Sequence, residues 1–242
     1  TMSNPSLPDD YIENLRQTYA GSPLIDAYLG GMFVNLASSG VYSSYDPENH
    51  DTNRTWSTTE PIYIGMDFNV NMMSAIVFVK DYINDIAVFS AIDLFENLRD
   101  TPDVVEAILQ KYSGPKGLHP YQITIHPDAS GNNTSSKAAS ESDITILKRG
   151  GFKIQSNKRN PYIKDRVISC NAGFSAGRLK VNKRMCEPLS TALQQQVYDS
   201  SGKPAKSTAN NIDDLCDAFG YAVYQHMSVV RQSARTVNTV GF

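Results

Sequence analysis

Four aspartates in this chain stand at positions where a carboxylate needs a particular reason to be present. Asp67 lies within an almost continuously apolar run at 62–68, and an unpaired carboxylate in a buried strand is costly unless a cation or hydrogen-bond donors compensate it. Asp128 follows a short apolar segment. Asp214 and Asp217 are three residues apart near the start of a predicted helix, so they share one helix face.

These acids also have ordinary structural interpretations. Asp67 could cap a turn at the end of its strand, and an aspartate before Ala-Ser-Gly, as at Asp128, is frequently a turn residue. Asp214 lies in the first helical turn, where a negative charge complements the helix dipole. Asp217 lies deeper in the helix and is harder to explain as a cap. Convergence in space would distinguish a site from unrelated caps and turns.

Carboxylates from two strand ends and one helix would form the ligand set that Mg²⁺ or Mn²⁺ prefers. Two such ions, about 4 Å apart, can activate a water and stabilise the departing 3′ oxygen of a phosphodiester. This chemistry requires no protein nucleophile, which agrees with the lack of a convincing Ser–His or Cys–His arrangement. We therefore predict that Asp67, Asp128, Asp214 and Asp217 are both metal-binding and catalytic.

The segments around these acids predict a sheet covered by helices. Residues 62–68 and 72–79 lack polar alternation, which is typical of strands buried on both faces. Further strands are predicted at about 85–93, 122–126, 152–155 and 178–182. Helices are predicted at about 101–112, 136–149, 160–172, 187–198 and 213–232. Three strands in succession, followed by strands alternating with helices, predict an α/β fold with a mixed central sheet and helices on both faces.

The first sixty residues differ from the rest of the chain in composition. Helices are predicted at about 9–20 and 22–36, and the stretch at 38–60 is polar and rich in turn-forming residues. We therefore predict an N-terminal helical and linker arm at 1–60 and a compact domain at 61–242.

The formal net charge is −3, which by itself argues against a nucleic-acid partner, but the charge is unevenly distributed. Residues 148–184 contain eleven Lys and Arg and one acid, so this segment carries +10 and the remainder −13. Clustered cations are what a phosphate backbone requires, although a solvated basic face is the alternative. The residues that we predict to contact DNA are Lys158, Arg159, Lys164, Arg166, Lys180, Lys183 and Arg184.

Cysteine usage and hydropathy restrict the class of protein. Cys170, Cys186 and Cys216 are odd in number and lack metal-site spacing, which predicts reduced thiols in an intracellular protein. The apolar runs are shorter than a membrane span of roughly 20 residues. No basic-then-apolar signal pattern is found, so we expect a protein that is neither secreted nor bound to a membrane.

Three short motifs, taken in order, resemble the acidic motifs of the nuclease domain of large terminases, the DNA-packaging motors of viruses. They are IGMDFN at 64–69, PDAS at 127–130 and DLCDAFGYA at 214–222. The last is similar to the family pattern of an acid or His, two residues, Asp-Ala, two residues and Tyr-Ala. Other passages similar to the family lie at 28–33, 40–42, 177–181 and 201–204.

The resemblance implies an RNase H-like fold, with three antiparallel strands followed by parallel ones, and a two-metal-ion endonuclease that uses Mg²⁺ or Mn²⁺. It places Asp67, Asp128 and Asp217 at the metal-binding positions and Asp214 at the auxiliary position. The implied substrate is concatemeric double-stranded viral DNA, cut in the host cytoplasm at packaging initiation and headful termination.

The resemblance also implies partners. They are the ATPase domain of the motor, the portal and the small terminase subunit. Because this sequence contains no phosphate-binding loop of the Gly-x-x-x-x-Gly-Lys-Ser/Thr type, we expect no ATPase activity from this chain. We expect the isolated domain to be a monomer.

Two other functions stay open on the sequence. Another RNase H-like nuclease, such as a junction resolvase or a transposase core, needs a similar set of acids, although the last helix offers Asp217 and not the final Glu of an integrase-type core. A catalytically silent DNA-binding or docking module would keep the basic segment, and its acids would serve as caps and turns. Metal-dependent cleavage separates the enzymes from the silent module.

Overall fold

A six-stranded mixed sheet forms the centre of the computed structural model, which describes residues 40–68, 73–132, 141–206 and 212–229. Its strands are β1 (Ile62–Asp67), β2 (Met73–Ile83), β3 (Ile86–Leu98), β4 (Ile123–Pro127), β5 (Lys153–Ile154) and β6 (Leu179–Val181). Their order across the sheet is β5-β4-β1-β2-β3-β6. β1, β2 and β3 pair antiparallel in succession, and β4, β5 and β6 each join a neighbour in parallel.

Helices cover both faces of this sheet. They are α1 (Thr101–Tyr112), α2 (Asp143–Arg149), α3 (Ile163–Ser175), α4 (Glu187–Gln195) and α5 (Ile212–Met227). α5 lies against β1, β2 and β4, and it packs against both α3 and α4. The predicted α/β architecture, a mixed central sheet between two helical layers, is confirmed.

Two hydrophobic clusters explain why the central strands lack polar alternation. On β1, Ile62 and Ile64 belong to the cluster that includes residues of α1 and α2. On β2, Ile76 and Phe78 belong to the other cluster, together with Phe219 of α5. Because apolar side chains are needed on both faces, the strands read as continuous apolar runs.

Several helix boundaries differ from the predicted ones. The N-cap of α1 is Asp100, whose carboxylate accepts the backbone N–H of Asp103 at 3.0 Å, whereas the sequence pattern favoured Thr101, which is buried. α3 begins at Ile163, three residues after the predicted start at Asn160, and α5 ends at Met227. The helices predicted at 9–20 and 22–36 lie outside the described residues.

Residues 40–60, the described part of the predicted arm, pack against the domain. Val41 and Tyr42 are buried in the same cluster as α3, α4 and α5. Single β-bridges join Gly40 to Val197 and Asp51 to Val181. The arm therefore contributes to the core over this range, and the domain boundary at residue 61 stays a prediction. Within the described residues, no helix is both long and apolar enough to cross a membrane.

Candidate functional site

Two of the predicted site residues leave the sheet side by side. Asp67 ends β1, and Asp128 follows β4 directly. These strands are parallel neighbours in a register that places Met66 opposite Pro127, and the backbone N–H of Asp128 donates to the carbonyl of Met66 at 3.0 Å. The carboxyl ends of parallel neighbours share one edge of a sheet, which is where α/β folds place ligands.

Helix α5 brings the second pair of acids to this edge. A Cβ atom at Gly65 would stand 2.0 Å from the carbonyl oxygen of Ala218, so the helix backbone lies directly on β1 two residues before Asp67. Asp217 immediately precedes Ala218, and Asp214 is one turn earlier on the same helix. Only glycine at position 65 permits this close approach.

The charges of the four acids act on one another. The side chain of Asp67 is 9% exposed, and burial raises its pKa to about 8, with further contributions from the charges of Asp217, Asp128 and Asp214. Burial also raises the pKa of Asp217, whereas the Arg166 guanidinium opposes that shift. Because these interactions are strong only at short range, the four acids occupy one electrostatically coupled region.

The region is not a closed coordination shell. Among residues 40–68, 73–132, 141–206 and 212–229, no three His, Cys, Asp or Glu side chains form a group that could hold a metal ion. Oxygen-only carboxylate donors nevertheless fit Mg²⁺ or Mn²⁺ in type. Coordination by all of them would need side-chain rotation toward a shared ion, so the assignment of ligands stays a prediction.

Asn160 contacts the candidate site, although the sequence pattern predicted only a helix start there. Its side-chain oxygen accepts the backbone N–H of Ala129 at 2.8 Å, and its amide nitrogen donates to Oδ1 of Asp128. The available signal was the Asn-Pro dipeptide, which indicates a turn but does not identify the distant carboxylate that it meets.

Arg166, which was predicted to contact DNA, is differently placed from the other basic residues. Its side chain is 5% exposed, and its Nη1 lies 3.0 Å from Oδ1 of Asp217. The guanidinium lies over the ring of Tyr221, with Cζ 4.2 Å from the ring centroid. Its charge is therefore directed to the acidic region and not to solvent.

The other predicted DNA contacts fall into two groups. Lys158, Arg159 and Lys164 are exposed and flank Asn160. The second group comprises Lys180, Lys183 and Arg184. It lies on and after β6, three strands from β1, a lateral distance of roughly 14 Å at about 4.8 Å per strand. The first group is therefore next to the acids, and the second is not.

A pair of histidines lies behind the acids, at the contact between β4 and α5. Nε2 of His126 is 2.9 Å from Nε2 of His226, so one ring donates the hydrogen bond and the other accepts it. Burial lowers the pKa of His126 to about 4 and that of His226 to about 3. Both rings are therefore neutral at pH 7 and serve as packed core residues.

Comparison with known families identifies the same region. The model of the terminase RNase H-like domain family matches residues 64–225, more than half of the chain, and this range includes all four acids. No curated protein sequence matches the chain.

Solved phage structures share the fold. The large terminase of one thermophilic bacteriophage has a TM-score of 0.67 and 17% identity, over 93% of this chain and 54% of that one. The nuclease domain of the P22 large terminase has a TM-score of 0.58 and 18% identity, over 80% and 96%. For the large terminase nuclease of thermophilic phage G20c with bound magnesium, the values are 0.51, 14%, 78% and 98%.

These likenesses confirm the predicted RNase H-like fold, with three antiparallel strands followed by parallel ones. The present chain spans about half the length of the first of these large terminases.

Proposed function

Because this chain belongs to the family of terminase RNase H-like domains, we propose that it is a metal-dependent endonuclease that cuts double-stranded DNA. The observation that carries the proposal is the electrostatic coupling of four carboxylates at one edge of the sheet. An excess of negative charge of this kind is costly in a protein alone, and a divalent cation would compensate it.

Asp67, Asp128 and Asp217 would hold the cations, and Asp214, one helical turn before Asp217, would assist them. When bound, Mg²⁺ or Mn²⁺ supplies Lewis-acid chemistry that activates a water and stabilises the leaving 3′ oxygen, and we propose two such ions. The carboxylates orient the reacting groups, and the exposed Lys158 beside the site attracts the phosphate backbone. No side chain acts as a nucleophile in this scheme.

The biological role follows from the family. The G20c nuclease, which shares this fold, was crystallised with magnesium, and this supports a divalent cation here. We propose that the substrate is concatemeric viral DNA, cut in the host cytoplasm at initiation and headful termination of packaging. The ATPase domain of the motor, the portal and the small terminase subunit are the proposed partners.

The decisive experiment is plasmid cleavage in Mn²⁺ and Mg²⁺ by the parent chain, Asp67→Asn and the control Asp85→Asn. Asp85 is an exposed residue of the β2–β3 turn, so its change should leave cleavage intact. Asp67→Asn should cut at least about 100-fold more slowly, about 3 kcal/mol in barrier height, because it loses a cation ligand. EDTA should abolish cutting by the parent.

Two outcomes would contradict this proposal. Undiminished cleavage by Asp67→Asn would remove the assigned site. A parent chain that binds DNA but does not cut it in either metal would favour the silent DNA-binding module instead.

A further inference from the structure

One short segment, residues 160–166, touches two of the proposed metal ligands without containing either. At its start, the Asn160 amide binds the turn after β4 at both ends: it accepts from the backbone N–H of Ala129 and donates to Oδ1 of Asp128. The same carboxylate oxygen accepts the backbone N–H of Ser130 at 2.7 Å. Two donors therefore fix one oxygen of Asp128, and this sets the direction of the other.

At the end of the segment, Arg166 fixes Asp217 in a comparable way. Its Nη1 binds Oδ1 of that carboxylate at 3.0 Å and the backbone carbonyl of the same residue at 3.3 Å. The guanidinium is buried over the Tyr221 ring, and its aliphatic stem lies beside Gly220. A planar guanidinium enclosed in this way has few alternative positions, so the carboxylate that it binds is also held.

We propose that Asn160 and Arg166 are positioning residues that orient Asp128 and Asp217 toward a shared divalent cation. The inference rests on the proposed nuclease function, and it assigns these two residues to metal affinity and not to the chemical step. Groups that hydrogen-bond to metal ligands typically change metal affinity or activity by about 10- to 100-fold when they are removed.

A guanidinium beside a metal ligand could instead compete with the metal for the carboxylate. The geometry favours positioning, because Arg166 shares its Nη1 between one carboxylate oxygen and the backbone of Asp217. Burial also prevents it from following a phosphate group. The two roles predict opposite changes in metal affinity, and the experiment below separates them.

Asn160 offers the first test because it is exposed, so its loss should not affect folding. Mn²⁺ binding without DNA is measured from the electron paramagnetic resonance signal of free Mn²⁺, for the parent, Asn160→Ala and the control Asn157→Ala in the same loop. We expect Asn160→Ala to weaken Mn²⁺ binding about 10-fold. Its melting temperature in EDTA should stay within about 2 °C of the parent, and its cleavage rate should recover at saturating Mn²⁺.

Arg166 offers the second test, with Lys and Met as replacements. Arg166→Lys keeps the charge and one donor, so it should retain part of the Mn²⁺ affinity that Arg166→Met loses. Both variants are checked for folding by circular dichroism, and Asn160→Ala carries the test if Arg166→Met does not fold. Tighter Mn²⁺ binding by Arg166→Met would overturn positioning and identify the guanidinium as a competitor.

Asp67→Asn, included in the same titration, separates two kinds of failure. If the parent binds Mn²⁺ no better than Asp67→Asn, the proposed metal site fails, and this inference is overturned with it. If the parent binds Mn²⁺ through Asp67 while Asn160→Ala and Asn157→Ala both match it, positioning by Asn160 is overturned and the nuclease proposal stands.

Discussion

Asp67 illustrates how a residue that serves catalysis can oppose folding. Its carboxyl is buried beside other acids, and its pKa is raised to about 8 because the charged form is disfavoured there. The unfolded chain imposes no such cost, so the metal-free protein loses stability by keeping an acid at this position. The same carboxylate becomes favourable when a cation is bound.

We therefore expect Asp67→Asn to stabilise the metal-free protein while it abolishes cleavage. In EDTA at pH 7, the free energy of unfolding in urea should rise by on the order of 2 kcal/mol. Added Mn²⁺ should stabilise the parent more than the variant, because only the parent keeps the ligand. The exposed Asp85→Asn should change stability by less than about 0.5 kcal/mol, and an equally neutral Asp67→Asn would refute the electrostatic argument.

At this scale, the sequence was informative about the acids and silent about their partners. An aspartate inside an apolar strand is conspicuous, because its burial cost is a local property of the sequence. Asn160 and Arg166 are not conspicuous, since their contacts join residues 32 and 51 positions apart. Arg166 was therefore assigned to DNA with its basic neighbours, whereas it lies buried beside Asp217.

At the scale of elements, the contact between β1 and α5 holds the two halves of the site together. The carbonyl of Ala218 occupies the place where a side chain on Gly65 would begin. A Cβ atom there would push α5 away from the strand, and Asp217 would move with the helix. The spacing between the acids therefore depends on one missing methyl group.

Gly65→Ala should destabilise the fold by about 2–3 kcal/mol, as expected for overpacking against rigid backbone. Gly114→Ala is the matched control, because a Cβ atom at that position meets nothing within 4 Å. Chemical denaturation of both variants gives the comparison, and cleavage by Gly65→Ala should fall more than its unfolded fraction explains. Equal stability of the two variants would show that α5 can shift without cost.

The histidine pair that joins β4 to α5 gives the fold a pH dependence. The pKa of His226 is lowered to about 3, below its ordinary value near 6.5, so the folded protein disfavours the charged ring. As the pH falls below about 6.5, the unfolded chain takes up protons that the folded chain refuses, and stability is lost. His126 acts in the same direction.

We expect the free energy of unfolding to fall by up to about 2 kcal/mol for each imidazole between pH 7 and pH 5. In His226→Gln the decline should be smaller, since one of the two titrating groups is gone. Urea denaturation of both proteins at each pH gives the comparison. Asp67 has the opposite pH dependence, but it is present in both proteins and cancels. Parallel stability curves would exclude the histidine pair as the cause.

The elements themselves could be predicted where the signal is local. The apolar runs that became β1 and β2 require burial on both faces, and this alone predicted a central position in the sheet. Helix starts were less predictable. α3 begins at Ile163 because Asn160, the predicted start, is engaged with the turn after β4. That engagement depends on the folded sheet and leaves no local pattern.

For the molecule as a whole, the question is how a chain with net charge −3 can approach DNA. The basic segment supplies the attraction, but the fold separates it into two regions. Lys158, Arg159 and Lys164 remain exposed next to the turn that carries Asp128. Near β6, Lys180 donates to the carbonyl of Asn49 and Lys183 pairs with Glu48. Charges already engaged with protein have less to offer a phosphate.

Two variants with the same loss of three positive charges test this distinction. The first replaces Lys158, Arg159 and Lys164 with Gln, and the second replaces Lys180, Lys183 and Arg184 with Gln. Affinity for duplex DNA is measured across a range of salt in Ca²⁺ or EDTA, so that cutting does not interfere. Each lost phosphate contact should reduce the slope of log affinity against log salt by about 1. We expect a reduction of about 2–3 for the first variant and a smaller one for the second. A uniform long-range effect of net charge would weaken binding equally in both, whereas a larger loss in the second variant would place the DNA path across the β6 edge, away from Asp67.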